Sequence, residues 1–176
     1  MNSAAPVVND GSKPSNQRGK FAAFFLGVLL LVVGFWCKPI LTLGFDPQSE
    51  RCLPDLHLAL LVHEAPQTVH DGDLIFWKPS GALAGFKEQF ILKEVAGVPG
   101  DHVTIRDGKV QINGKTVVQG FPLARFYHRS ANDFNRDETI PAGEFFMVGV
   151  HPLSNDSRYW GYLDAHQISG FAYKLF

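Results

Sequence analysis

The pattern of apolar and polar positions divides the chain into two unlike parts. Residues 1–20 are polar and rich in Ser, Asn, Pro and Gly, and from Phe21 to Cys37 (FAAFFLGVLLLVVGFWC) no residue is charged. Apolar character resumes beyond Lys38 and continues to Gly44. A run of this length lies at the short end of the roughly 17–25 residues that cross a bilayer core. It also lacks the polar face that a helix on a globular surface turns to water. The pattern predicts a tail over 1–20 and one transmembrane helix over 21–43. A buried core helix and a cleavable leader fit less well: a leader's apolar region is about 7–15 residues long and ends in small residues, whereas this one ends in Phe35-Trp36-Cys37-Lys38. Cys37 then reads as an apolar residue at the membrane boundary. Lys13, Arg18 and Lys20, set against the single acid Asp10, place the tail on the cytoplasmic side. Residues 44–176 then face outward, which in a bacterial inner membrane means the periplasm.

After Glu50 the pattern changes to short apolar segments bounded by Gly, Pro, Asn and Asp. Leu56 to Val62 is one such segment, and Val69 to Trp77 is a turn leading into another. Phe90 to Val98, His102 to Arg106 and Lys109 to Asn113 follow; the last two flank Asp107-Gly108, a strong hairpin signal. Gly114-Lys115 reads as a further turn, and the mixed stretch over about 114–140 as an irregular cap or excursion. Phe145 to Val150 and Ile168 to Leu175 complete the set. Short strands without a long helical period after residue 44 predict a mainly β domain, barrel-like or sheet-like.

Composition narrows the function. A formal net charge of −1, with no basic stripe, gives nucleic acid no footprint. Two cysteines, Cys37 and Cys52, are too few for a disulfide framework and must be read singly. The histidines, among them His57, His63, His70, His102 and His151, lack the spacing of a zinc site and read as ordinary surface or strand residues; no metal or cofactor is expected. A Ser-His-Asp triad from His151, Asp156 and Ser157 is disfavoured, because one short loop cannot easily provide the required in-line geometry.

Three stretches form a possible constellation. Ser49-Glu50-Arg51-Cys52-Leu53-Pro54 stands just beyond the apolar run. Lys93 sits inside the apolar run Phe90 to Val98, ahead of Pro99-Gly100-Asp101. A lysine so placed either snorkels to water or is held dry for chemistry. The third, Gly149-Val150-His151-Pro152-Leu153-Ser154-Asn155-Asp156-Ser157-Arg158-Tyr159-Trp160-Gly161, takes an apolar strand into a loop dense in groups that make directed hydrogen bonds. In this order, and with Gly72-Asp73-Leu74-Ile75-Phe76 between the first two, they resemble the type I signal peptidases, the Ser/Lys-dyad endopeptidases of the S26 type. The short nucleophile motif and compact C-terminal box most resemble the conjugative-transfer (TraF-type) branch. Lys93 to Asp101 (KEVAGVPGD) follows that family's K-R-V-V-G-x-P-G-D pattern, and Ser154 to Gly161 its S-x-D-S-R-Y-W-G pattern.

The resemblance implies a signal-peptidase-like β domain behind a membrane anchor, acting on exported precursor proteins, of which a pilin-type precursor is one. It makes Lys93 the general base, Ser154 the group that orients its amine, and Asp156 with Arg158 an ion pair bracing the loop. A base must be a neutral amine, which burial among neighbours such as Ile91, Leu92 and Val95 favours. The sequence departs from the family at the nucleophile, where Cys52 precedes Leu53-Pro54 in place of serine. A thiol beside an ammonium is a competent nucleophile, with the lysine then acting chiefly as the acid that protonates the departing amine. A second departure is Glu50, standing where a Ser or Thr hydroxyl usually assists the oxyanion; Ser49 is the neighbouring substitute and a weaker alternative nucleophile. The rival expectation is an inactive anchored β domain that serves assembly or substrate binding.

Overall fold

The computed structural model describes residues 17–37, 40–45, 52–53, 55–64, 68–85 and 89–175. The chain divides into two units, Met1–Lys38 and Pro39–Phe176. The first contains one helix, α1 (Gln17–Cys37). Its described side chains, those of residues 19–35, are exposed all round. Among the described residues no helix is long and apolar enough to cross a membrane. The expected end of the span at residue 43 is also revised, because Leu41–Phe45 is strand β1 of the second unit, paired with the next strand from Leu41 opposite Val62 to Phe45 opposite Leu58.

The second unit is mainly β. After β1 come β2 (Leu58–Val62), β3 (Leu74–Trp77), β4 (Ile91–Gly97), β5 (His102–Arg106), β6 (Lys109–Ile112) and β7 (Lys115–Gln119). They are followed by β8 (Arg136–Thr139), β9 (Glu144–Val148), the one-turn helix α2 (Ser157–Trp160), β10 (Leu163–Asp164) and β11 (Ile168–Lys174). One antiparallel sheet has the order β1-β2-β11-β3-β4-β9-β10 and the other β7-β6-β5-β8. The small sheet is built on two tight hairpins. Asp107 and Gly108 have φ of 51° and 72°, and Asn113 and Gly114 have φ of 49° and 80°, the two positive values that a two-residue turn matched to strand twist requires. The second turn therefore lies at Asn113-Gly114, one residue before the position read from sequence, and Lys115 already belongs to β7. The segment expected to be irregular over 114–140 contains two strands, β7 and β8; β8 pairs with β5, Thr139 opposite His102.

Alternating side chains sort into three apolar clusters, and β4 touches all of them. Ala96 packs with Val103, Ile105, Val110 and Phe146; Val95 packs with Ile75, Trp77 and Met147; Leu92 lies against the group containing Leu61 and Phe76. The fully buried larger side chains among them, such as Val95, Ile75 and Phe146, each contribute on the order of 1.5–3 kcal/mol, so β4 is among the best-fixed elements of the domain. Lys93 is placed in the middle of it, opposite Ile75 of β3.

Glu94, the next residue, is partly buried opposite Leu74. Burial, reinforced by the negative charge of Asp71, raises its carboxyl above the ordinary 4.5. A raised value means that the fold favours the protonated acid. The associated stability is fully present below the unfolded carboxylate range and is lost as pH rises through the folded value. Glu94→Gln is expected to unfold at a higher denaturant midpoint than the parent at pH 7, with the difference shrinking to nothing near pH 3, as followed by urea titration across that range.

Candidate active site

Period-two alternation puts Ile91, Lys93 and Val95 on one face of β4, and Lys93 is only 2% exposed. Its ammonium nitrogen is met by a hydroxyl: Lys93 Nζ donates to Ser154 Oγ at 3.0 Å. Ser154 is itself buried and comes from the loop between β9 and α2, where its N–H donates to the His151 carbonyl at 2.9 Å. The structure thus brings together two of the residues singled out in the sequence across 61 positions of chain.

The loop is held by Asp156 and Arg158, both fully buried. Arg158 Nε donates to Asp156 Oδ1 at 2.8 Å and Nη2 to Oδ2 at 2.9 Å, a two-pronged contact. The remaining donors reach the carbonyls of Ser154 at 3.0 Å and Gly120 at 2.8 Å. Asp156 in turn caps α2, accepting from Arg158 N at 3.2 Å, and accepts from Gly149 N at 3.1 Å. Ser157 Oγ accepts from the N–H of Met147 at 2.8 Å. Asp156 and Ser157 are therefore engaged within the loop and with β9, and His151 Nδ1 accepts from Leu153 N at 3.2 Å; no catalytic triad forms among them.

Cys52 is a free, half-buried thiol, and its carbonyl accepts from the N–H of His151 at 3.1 Å. It therefore leans on the same loop as Ser154. Gly149 lies where the two meet: a Cβ at this residue would stand 2.8 Å from Ser154 Cβ and 3.0 Å from the Cys52 carbonyl oxygen. Only a residue without a side chain leaves both in place. Ser49 and Glu50 lie outside the described residues.

Cys52 and Lys93 line one cavity of about 870 Å³. Its walls are largely apolar and come from β1, β2 and the approach to β4, with Phe45, Leu61, Phe76 and Phe90 among them. His57 and His63, read from the sequence as ordinary histidines, both face it. His63 bonds Thr42 Oγ1 at 2.7 Å and packs edge-on to Phe76 and Phe90. Sequence reasoning missed β1 as a wall, because its apolar residues continue the run of the helix; the alternation Leu41-Thr42-Leu43 is the signal that separates them. It gave no role to Gly149 or to Asn155, the latter a cavity residue between Ser154 and Asp156.

Removing one partner of the buried pair leaves an uncompensated charge, which costs about 3–5 kcal/mol. Asp156→Ala and Arg158→Ala are each expected to lose about that much in chemical denaturation of the full chain. The double variant is expected to lose less than the sum of the two, which a double-mutant cycle measures.

Residues 15–176 match the family model described as signal peptidase, peptidase S26. The chain is 35% identical over 135 residues to signal peptidase I of Leptolyngbya laminosa, covering 70% of this chain and 63% of that protein. It is 28% identical over 108 residues to the probable signal peptidase I-2 of Synechocystis sp., covering 60% and 47%. The chain thus spans less than two thirds of the length of these two relatives. With signal peptidase I V of Bacillus subtilis it shares 27% identity over 163 residues, covering 84% of this chain and 93% of that one. The crystal structure of a signal peptidase I from Enterococcus faecalis covers 60% of this chain and 97% of its own, at 26% identity and a TM-score of 0.38. With the family model spanning all of α1 and the whole second unit, the chain belongs to the S26 signal peptidase family.

Proposed function

We propose that the protein is a membrane-anchored endopeptidase that removes leader peptides from exported precursors, with Cys52 as nucleophile and Lys93 as its proton-transfer partner. The observation that carries this reading is the buried Lys93 amine, bonded to Ser154 at 3.0 Å on the wall of a cavity that Cys52 also lines. In this mechanism the Cys52 thiolate attacks the scissile carbonyl carbon and forms a tetrahedral oxyanion. Collapse breaks the C–N bond, the departing amine takes a proton from the Lys93 ammonium, and the leader remains as a thioester on Cys52. Lys93, now neutral, takes a proton from water as its oxygen attacks the thioester; the leader leaves as a carboxylic acid, and the Cys52 thiolate is restored beside the Lys93 ammonium. Ser154 orients the amine, and the Asp156–Arg158 pair holds the loop that positions Ser154.

The uncharged run of the sequence from Phe21 to Cys37 supports a single-pass anchor, and the basic residues ahead of it support a cytoplasmic N-terminus with the β domain in the periplasm. The short motif around Cys52 and the compact box from Ser154 to Gly161 favour the conjugative-transfer branch and a pilin-type precursor as substrate. The apolar cavity suits an extended apolar stretch of such a leader.

The test is processing of a pilin-type precursor by membranes containing the full chain. Lys93→Ala is expected to slow cleavage by about 10²–10⁴-fold, and alkylation of the thiol to abolish it. Cys52→Ser is expected to become insensitive to alkylation while retaining part of the rate. Unchanged processing in Lys93→Ala overturns the reading. Precursor binding without cleavage in the unmodified protein supports the alternative of an inactive binding domain.

A further inference from the structure

We propose that Asn155 is a catalytic residue that donates a hydrogen bond from Nδ2 to the scissile carbonyl oxygen, and that Tyr127 is the positioning residue that aims it. This rests on the peptidase reading above and concerns the same cavity. Asn155 lines that cavity together with Cys52 and Lys93. It directly follows Ser154, whose Cβ and the Cys52 carbonyl both lie within 3.0 Å of one point above Gly149. Its side-chain oxygen is already occupied, since Tyr127 Oη donates to Asn155 Oδ1 at 2.7 Å. With the oxygen engaged, the planar amide has one orientation, and Nδ2 is left as a donor with no partner among the described residues.

Tyr127 is well fixed for this task. Its ring stacks on that of Tyr159 with centroids 5.4 Å apart and planes 10° from parallel, and it meets Phe134 edge-on. Tyr159 Oη accepts from Leu123 N at 3.2 Å, which ties the excursion carrying Tyr127 to α2. Burial holds the Tyr127 phenol above its ordinary range, so its proton stays on the oxygen as a donor at neutral pH. The resemblance supplies the chemical need, since it places Glu50 where the family's assisting hydroxyl stands. A carboxylate opposes a developing negative charge, and a preorganised amide N–H stabilises it.

The experiment compares Asn155→Asp, Asn155→Ala and Tyr127→Phe in the full membrane-inserted chain, reading kcat and KM on a leader-bearing peptide. Asn155→Asp keeps the shape and the acceptor for Tyr127 but removes the donor. It is expected to lower kcat by about 10²–10³-fold with KM within a few-fold of the parent, and Asn155→Ala is expected to match it. Tyr127→Phe keeps the donor but frees its orientation, and is expected to lower kcat by about tenfold, again with KM little changed. A purely structural bond would reverse the order, with Asn155→Asp close to the parent and Tyr127→Phe as damaging as Asn155→Ala; that result overturns the inference. Turnover that depends on Lys93 yet stays within twofold in both Asn155 variants overturns the inference and leaves the peptidase reading standing. Absence of turnover in the unmodified protein overturns both. Coincident urea midpoints for the parent and Asn155→Asp identify any rate loss as chemical.

Discussion

Taking the charges of Asp156 and Arg158 out of water costs several kcal/mol per ion unless every lone pair and proton finds a partner, and both side chains are fully buried. The partners are supplied by the backbone. The guanidinium reaches the carbonyls of Ser154 and Gly120 as well as the carboxylate, while the carboxylate also receives the N–H groups of Gly149 and Arg158. Each of these bonds fixes one point of the loop that leaves β9. Ser154 therefore meets Lys93 as a result of how a buried ion pair is satisfied two and four residues further on. The hydroxyl's own single bond to the amine would not be enough to hold it there.

The same pair joins the two sheets functionally. Gly120 closes β7, so the bond from Arg158 carries the small sheet's end into the loop. Arg136 of β8 adds a second tie, donating to the Ser157 carbonyl at 2.6 Å and lying over Phe146 and Tyr162. Burial lowers the Arg136 guanidinium from its ordinary value, but the neighbouring Tyr162 and Glu138 work in the opposite direction. The excursion over 121–135 is thus the third side of the loop's frame, with aromatic rings packed between it and α2.

The sequence was most legible where structure is local. Alternation and turn residues located β2 to β6, β9 and β11, because a hairpin such as Asp107-Gly108 is specified by its own neighbours. It was least legible where pairing is distant. Nothing in Arg136–Thr139 distinguishes it from the polar stretch around it until it is laid against β5, and β1 becomes a strand only because β2 stands opposite. In the site, the residue types of the lysine and C-terminal boxes could be read directly, since each stands within one short, contiguous motif. Their burial could not, because the carbonyls that complete the shell of Arg158 belong to residues of no special type. Asn155 escaped notice for a related reason: its partner Tyr127 is 28 positions away in a segment without a regular pattern.

The position of β11 bears on how the domain comes into being during synthesis. It lies between β2 and β3 in the large sheet, although 90 residues of chain separate it from β3. Until Ile168–Lys174 has been made, β2 and β3 face each other across a missing strand. Pairings of such sequence separation carry a large loop-closure cost and form slowly. A nascent chain would hold its thiol and lysine on elements that are not yet joined. The site would thus be a late event in the folding of this domain, assembled only once Ile168–Lys174 has been made.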